Sequence, residues 1–115
     1  MNPLVLVGLG GVAGAVARHL VGSAIEGDNW DTLAVNLLGS FALGALVAAP
    51  VGQEWALLTG TGFCGAFTTF SSFAFETVRL VETGRPQRAL ANAVGTLLSA
   101  LLAVILGGAL AAAIA

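Results

Sequence analysis

The chain consists of long apolar stretches joined by short polar connections, and this pattern predicts its secondary structure. Four stretches, at about 3–25, 32–50, 54–80 and 88–113, are continuously apolar apart from isolated polar positions. A helix of about 20 such residues crosses the hydrocarbon core of a bilayer. Because the connections are short, neighbouring helices are expected to run antiparallel. The pattern therefore predicts an all-α integral membrane protein with four transmembrane helices in a single domain, 1–115.

The composition supports a membrane location and excludes other classes of protein. Hydrophobic residues make up 57% of the chain and charged residues 9%, whereas a soluble domain carries roughly 25% charged residues. Mean hydropathy is +0.97. With a net charge of −2 the chain has no basic surface for nucleic acid. The single Cys64 cannot form an internal disulfide. We expect a multi-pass protein of the cell membrane whose solvent is the lipid bilayer.

The positive side chains are unevenly placed. All are arginines, and three of them, Arg79, Arg85 and Arg88, belong to the side of the membrane that holds the first and third connections. Arg18 lies inside the first stretch, towards the same side. Basic residues favour the cytoplasmic side, so this bias favours both termini outside.

Polar residues inside the apolar stretches are candidates for function, because burying them in lipid is costly. Asn36, Ser40 and Gly44 share one face of the second helix, and Asn92 and Thr96 share a face of the fourth. Such stripes serve either hydrogen bonding between helices or the lining of a pore. Arg18 is suited to snorkelling or to a structural role. Glu76, the only acid well inside a stretch, is suited to carrying a proton or to a vestibule.

The third stretch carries the strongest signal. Gly60, Gly62 and Gly65 precede the segment 67–73, in which hydroxyl side chains alternate with aromatic rings. Glycines at this density weaken a helix, and a broken helix at membrane depth is tolerated where protein or a watery cavity satisfies the backbone. We therefore predict that the third helix is broken in mid-membrane. Phe70 and Phe73 project from one face, either for ordinary packing or to turn their positive ring edges towards an anion.

Three segments together resemble one known family. Residues 10–18 (GGVAGAVAR), 32–41 (TLAVNLLGSF) and 62–73 (GFCGAFTTFSSF), followed by Glu76, are similar to the motifs of the fluoride channel family, called Fluc or CrcB. The fourth stretch adds Asn92, Gly95 and Thr96, and the length and number of stretches also agree.

The resemblance implies a passive fluoride channel, not an enzyme, that exports fluoride and lowers its cytoplasmic concentration. It implies an antiparallel dimer of four-helix subunits with two pores between them and a central structural sodium ion at the break. Carried over to this chain, the backbone carbonyls of Gly65 and Thr68 would hold the sodium ion. The fluoride pathway would comprise Asn36, Phe70, Phe73, Ser71, Ser72 and Thr96, and the vestibules Arg18 and Glu76.

Two departures from the family pattern and one rival function remain. Ala66 replaces a glycine common in the break, and Ser72 stands where threonine is usual. The arginine bias leaves two assemblies open, a homodimer and a heterodimer with an oppositely oriented relative. The rival function is a small proton-coupled multidrug exporter, which needs an acid in the first stretch. Residues 3–25 contain no acid, and the first acid of the chain is Glu26.

Overall fold

The computed structural model describes residues 1–27 and 29–114, so Asp28 and Ala115 of the predicted domain lie outside the described residues. Within this part the chain is helical and forms no β-strand. We number the helices α1 to α5; α3 comprises three consecutive helical segments, of which the middle one has π-type hydrogen bonding. The bounds are α1 Pro3–Ala24, α2 Trp30–Ala48, α3 Gln53–Trp55 with Ala56–Cys64 and Gly65–Phe67, α4 Phe70–Glu82, and α5 Pro86–Ile114.

The predicted third stretch is divided into α3 and α4. Thr68 has ψ 159° and Thr69 has φ −146° and ψ 114°, so both residues are extended and the helical hydrogen bonding stops between them. The predicted break is thus confirmed, but it lies after the glycines, and Gly60 and Gly62 belong to the π segment. Among the described residues, the helices that are long and apolar enough to cross a membrane are α1, α2 and α5.

Glycines bring α1 into close contact with α3. A Cβ atom at Gly10 would overlap the backbone carbonyl of Leu58, and one at Gly14 would overlap that of Phe63. On α3, Gly62 faces Gly10, because a Cβ atom at Gly62 would lie 3.0 Å from the Gly10 Cα atom. The Gly10–Gly14 pair is therefore a true close-approach motif of the kind common in membrane helices.

A second close contact joins α2 to α5. A Cβ atom at Gly44 would overlap the Val104 carbonyl, and one at Gly107 would overlap the Phe41 carbonyl. The two glycines therefore allow the backbones to touch from both sides. Together the two contacts fix α1 against α3 and α2 against α5, and they leave α4 to bridge between the pairs.

Few side chains are enclosed within one subunit. The buried apolar residues are Leu6, Val35, Cys64, Phe67, Ala89 and Ala111. Large apolar side chains on all of the long helices are exposed instead, as suits a protein whose surroundings are lipid or a further protein subunit. Trp30 and Trp55 are exposed at the beginnings of α2 and α3, where indole rings favour the membrane interface.

Candidate functional site

The break between α3 and α4 is held open by Asn36 of α2. The Thr69 backbone N–H donates to Asn36 Oδ1 at 2.8 Å, and Asn36 Nδ2 donates to the Thr69 carbonyl at 3.1 Å. A backbone N–H can only donate, so this pairing also determines which way the Asn36 amide points. Asn36 thus replaces the helical partners that Thr69 lacks.

The same contacts remove the usual helical donors of two carbonyl groups. In an α-helix, the Gly65 carbonyl would accept from the Thr69 N–H and the Thr68 carbonyl from the Ser72 N–H. The Thr69 N–H instead donates to Asn36, and the Ser72 N–H donates to Thr69 Oγ1 at 3.1 Å. Thr69 therefore caps the start of α4 while both carbonyls lose their helical partners.

A groove of about 510 Å³ runs along the break on one side of the subunit. It is formed by α2, α3, α4 and α5, and none of the described residues that line it is charged. Its polar lining residues are Asn36, Ser40, Thr61, Thr68, Thr69 and Thr96. Thr68 Oγ1 donates to the Cys64 carbonyl at 2.9 Å, so this hydroxyl hydrogen is engaged within the chain.

Two phenyl rings form the aromatic wall of the groove. Phe70 and Phe73 lie with their ring centroids 6.0 Å apart and their planes tilted by 52°. Phe70 is 79% exposed although it lies in the middle of the chain's third span. A separate pair, Phe63 and Phe67, is stacked at 5.5 Å, and Phe67 is buried. The two pairs thus differ in setting, one packed in the subunit and the other open to the groove.

A second cavity, of about 1240 Å³, lies between α2, α4 and the start of α5. Its lining includes Ser71, Ser72 and Glu76. The Ser72 hydroxyl accepts from Arg18 Nη2 at 2.9 Å, and Glu76 Oε1 accepts from the buried Thr32 hydroxyl at 2.7 Å. Arg18 is therefore tied to α4, rather than extended along the membrane interface.

A hydrogen-bonded chain connects α5 to α4 between the groove and the second cavity. Asn92 Nδ2 donates to Thr77 Oγ1 at 2.9 Å, and the Thr77 hydroxyl donates to the Phe73 carbonyl at 2.8 Å. Asn92 lines the second cavity and Thr96, one turn later, lines the groove. The polar stripe on α5 therefore serves hydrogen bonding between helices at Asn92 and lining of the groove at Thr96.

The predicted site residues fall into two groups. Six of them surround the groove: Asn36, Gly65, Thr68, Phe70, Phe73 and Thr96. Ser71, Ser72 and Glu76 line the second cavity instead, and Arg18 contacts this group through Ser72. The described residues contain no cluster of three acidic, histidine or cysteine side chains that could hold a metal ion. A cation at the break would consequently depend on carbonyl oxygens.

Several lining residues were not assigned to a site from the sequence. Ser40 lines the groove one turn after Asn36, and its position on the same polar face of α2 could have indicated this from the sequence. Thr61 also lines the groove, but its orientation depends on the π segment, which the sequence does not indicate. Arg79, Arg85 and Arg88 line the second cavity, although the sequence pattern connected them only with orientation.

Comparison with known proteins identifies close relatives over nearly the whole chain. Residues 5–108 match the family described as CrcB-like protein, Camphor Resistance (CrcB). The chain is 56% identical to fluoride-specific ion channel FluC 2 of Natronomonas pharaonis, over 94% of this chain and 93% of the relative. It is 49% identical to FluC 1 of Halobacterium salinarum, over 90% and 89% of the two chains. It is 45% identical to FluC of Methanocaldococcus jannaschii, over 99% and 98%.

Proposed function

The chain belongs to the CrcB family, and from this premise we propose that it forms a fluoride-selective ion channel in the cell membrane. Relatives that cover almost its full length carry the name fluoride-specific ion channel. The observation within the chain that supports the proposal most directly is the groove at the break. Its described lining combines hydroxyl groups, an amide and phenyl rings, and contains no charged side chain.

The chemistry of the groove suits a small anion. Fluoride is strongly hydrated, so a pathway must replace its water with other hydrogen-bond donors. Hydroxyl and amide groups supply donors without a fixed positive charge, and an ion that binds too tightly does not leave. Asn36 uses one of its two amide hydrogens on Thr69, so one remains for the ion, and Thr96 contributes a hydroxyl.

The aromatic wall contributes in a different way. A phenyl ring carries partial positive charge at its edge and partial negative charge on its face. Phe70 and Phe73 are tilted against each other by 52°, and both line the groove. We assign fluoride to the ring edges, with Ser71 and Ser72 continuing the route towards the second cavity, where Arg18 and Glu76 form the vestibule.

The groove of one subunit supports a dimeric channel. It lies open at the surface, and Phe70 is largely exposed although it is placed at membrane depth. We propose that a second, antiparallel subunit closes the groove and that two pores form between the subunits. The partner is a second copy of this chain or an oppositely oriented relative. Relatives named FluC 1 and FluC 2 support the heterodimer as an alternative to the homodimer.

The break also suits a sodium ion, which we propose as a structural cation. Hard cations prefer oxygen ligands, and the Gly65 and Thr68 carbonyls have lost their helical donors. No atom lies within 4 Å of a Cβ atom built at Gly65, so an ion or a partner subunit has room beside it. The cation would supply positive charge close to the pathway, held by these carbonyls from both subunits.

Fluoride efflux from liposomes tests the proposed function. The purified chain is reconstituted alone, and release of internal fluoride is followed with an electrode, without a proton gradient and beside a chloride-loaded control. The proposal expects fast release of fluoride and no release of chloride. Equal release of both ions would contradict fluoride selectivity. Release only after addition of an oppositely oriented relative would assign the heterodimer, and a requirement for a proton gradient would contradict passive conduction.

A further inference from the structure

Arginine side chains surround the outer part of the second cavity. Arg79 lies in the last turn of α4, Arg85 in the connection, and Arg88 in the first turn of α5, and all three line the cavity. The same wall contains Trp30 at the beginning of α2. Three separate positions in the sequence thus converge on one space between helices.

The turn that carries these arginines has a fixed geometry. Gly84 has φ +80°, its N–H donates to the Val81 carbonyl at 3.1 Å, and the Arg85 N–H donates to the Leu80 carbonyl at 2.8 Å. These are the two hydrogen bonds of a Schellman motif, and Pro86 then begins α5. Because this backbone is already held in place, little main-chain conformational freedom is lost when the arginines bind a ligand.

No ion pair among the described residues involves the three arginines of the cavity. Glu76 is the only acid among the described lining residues, and its Oε1 accepts from the Thr32 hydroxyl. The first turn of α5 contains no acidic residue, so the positive end of this helix adds to the arginine charge.

We propose that this cavity binds a phosphate group, carried by a membrane lipid or free in solution. The guanidinium fork matches two phosphate oxygens at once, which a lysine ammonium does not. Basic pockets between transmembrane helices are typical sites for phosphate-bearing lipid headgroups. The volume, about 1240 Å³, admits an anion with several oxygens, and Leu33 and Phe75 offer an apolar wall beside the charged one.

Trp30 provides a fluorescent reporter for the test. It is 61% exposed and lines the cavity, whereas Trp55 begins the third span at the opposite end of the subunit. The reporter protein carries Trp55→Phe and is reconstituted in phosphatidylcholine vesicles. Inorganic phosphate is then titrated against chloride at constant ionic strength. A site for free phosphate gives a saturable change in Trp30 fluorescence that is lost when Arg79, Arg85 and Arg88 are changed to Gln.

A second arm tests the lipid source. Brominated phosphatidylglycerol and brominated phosphatidylcholine are compared as quenchers of Trp30 at equal mole fraction. A lipid site gives stronger quenching by the anionic lipid, and each Arg→Gln change lowers its relative binding constant by up to about fivefold. If the triple variant is poorly folded, Arg85→Gln alone is tested in both arms, because Arg85 lies in the connection between α4 and α5.

A matched reporter protein controls for general attraction of anionic lipid. It carries Trp30→Phe and retains Trp55, next to the acidic Glu54 and away from the cavity. The proposal expects no preference for phosphatidylglycerol at this end. An equal preference at Trp55 excludes the lipid as the source of the phosphate group. The proposal is overturned if neither arm gives a Trp30 response that the Arg→Gln changes abolish. None of these readouts uses fluoride flux, so failure of the phosphate site can be distinguished from failure of the proposed channel function, although both involve the second cavity.

Discussion

The contact between α1 and α3 and the break between α3 and α4 use glycine in opposite ways. At Gly10 and Gly14, any side chain would overlap the backbone of α3, so these glycines are required for packing inside the subunit. At Gly65 a side chain would meet no atom within 4 Å. Packing within the subunit therefore explains the first two glycines and does not explain Gly65.

The same contrast extends to polar groups. The α1–α3 contact is made by backbone atoms that pack directly against each other, whereas the break depends on the side chain of Asn36 from a third helix. A region closed by backbone contact is expected to control folding. A region held open by one amide is expected to control conduction. Variants in the two regions separate these two effects.

The largest effect on stability is expected in the closed region. Gly14→Ala places a Cβ atom on the Phe63 carbonyl, and we expect a loss of about 3 kcal/mol in the free energy of unfolding. Gly8→Ala is the matched control on the same helix, because nothing lies within 4 Å of its Cβ position. Denaturation in detergent compares the two variants. Equal stability of both would show that the close contact between α1 and α3 is not required.

Asn36→Leu is expected to affect both folding and conduction. The Thr69 N–H and carbonyl lose their partners, which lowers the free energy of unfolding by about 2 kcal/mol and abolishes fluoride flux. Asn36→Asp retains an acceptor for the Thr69 N–H but places a carboxylate on the groove. We therefore expect a smaller loss in the free energy of unfolding than for Asn36→Leu, together with slower fluoride flux. Flux at the wild-type rate in both variants would exclude Asn36 from the pathway.

Phe70→Ile and Phe73→Ile should lower conduction while leaving the fold intact. Loss of a ring edge worth about 1.4 kcal/mol corresponds to roughly tenfold slower fluoride flux. Phe41→Ile on α2 is the control, because Phe41 is partly exposed and lines neither cavity. Liposome efflux and gel filtration are measured on all three variants. The ring-edge role fails if the groove variants conduct like Phe41→Ile.

Glu76→Gln should have the smallest effect. The Gln side chain still accepts from the Thr32 hydroxyl, and replacing a charged acceptor by a neutral one costs about 1 kcal/mol. Passive fluoride flux should persist, since the carboxylate is assigned to the vestibule and carries no proton in the mechanism. A proton-coupled exporter that used this acid would lose transport. Flux measured with and without a pH gradient distinguishes the two mechanisms.

The helical architecture follows from the sequence because the bilayer imposes it. Long apolar runs must form helices, and glycine density marked the third one as interrupted. Composition alone did not give the position of the break, because that position depends on Asn36 meeting Thr69 from a distant part of the chain. The family resemblance did, since it assigned the ion at the break to the carbonyls of Gly65 and Thr68. The π segment Ala56–Cys64 was not predictable, since its composition does not differ from that of an α-helix in a membrane.

The site was predictable where residue chemistry and motif agree. Asn36, Phe70, Phe73 and Thr96 were chosen from the sequence and line one groove, although their roles in conduction remain predictions. The use of Asn36 to hold the break was missed, because a side-chain amide can serve a backbone group or an ion equally well. The convergence of Arg79, Arg85 and Arg88 was missed because it arises from the turn at Gly84.

The reversal potential of the reconstituted channel tests the central claim most directly. The purified chain is placed in a planar bilayer under a fluoride gradient, with chloride as the balancing anion and the same pH on both sides. A passive, fluoride-selective channel reverses at the fluoride equilibrium potential, about 59 mV for each tenfold gradient of a monovalent ion. Changing the pH on one side should leave that value unchanged. A reversal potential that follows the chloride or the proton gradient would contradict the account.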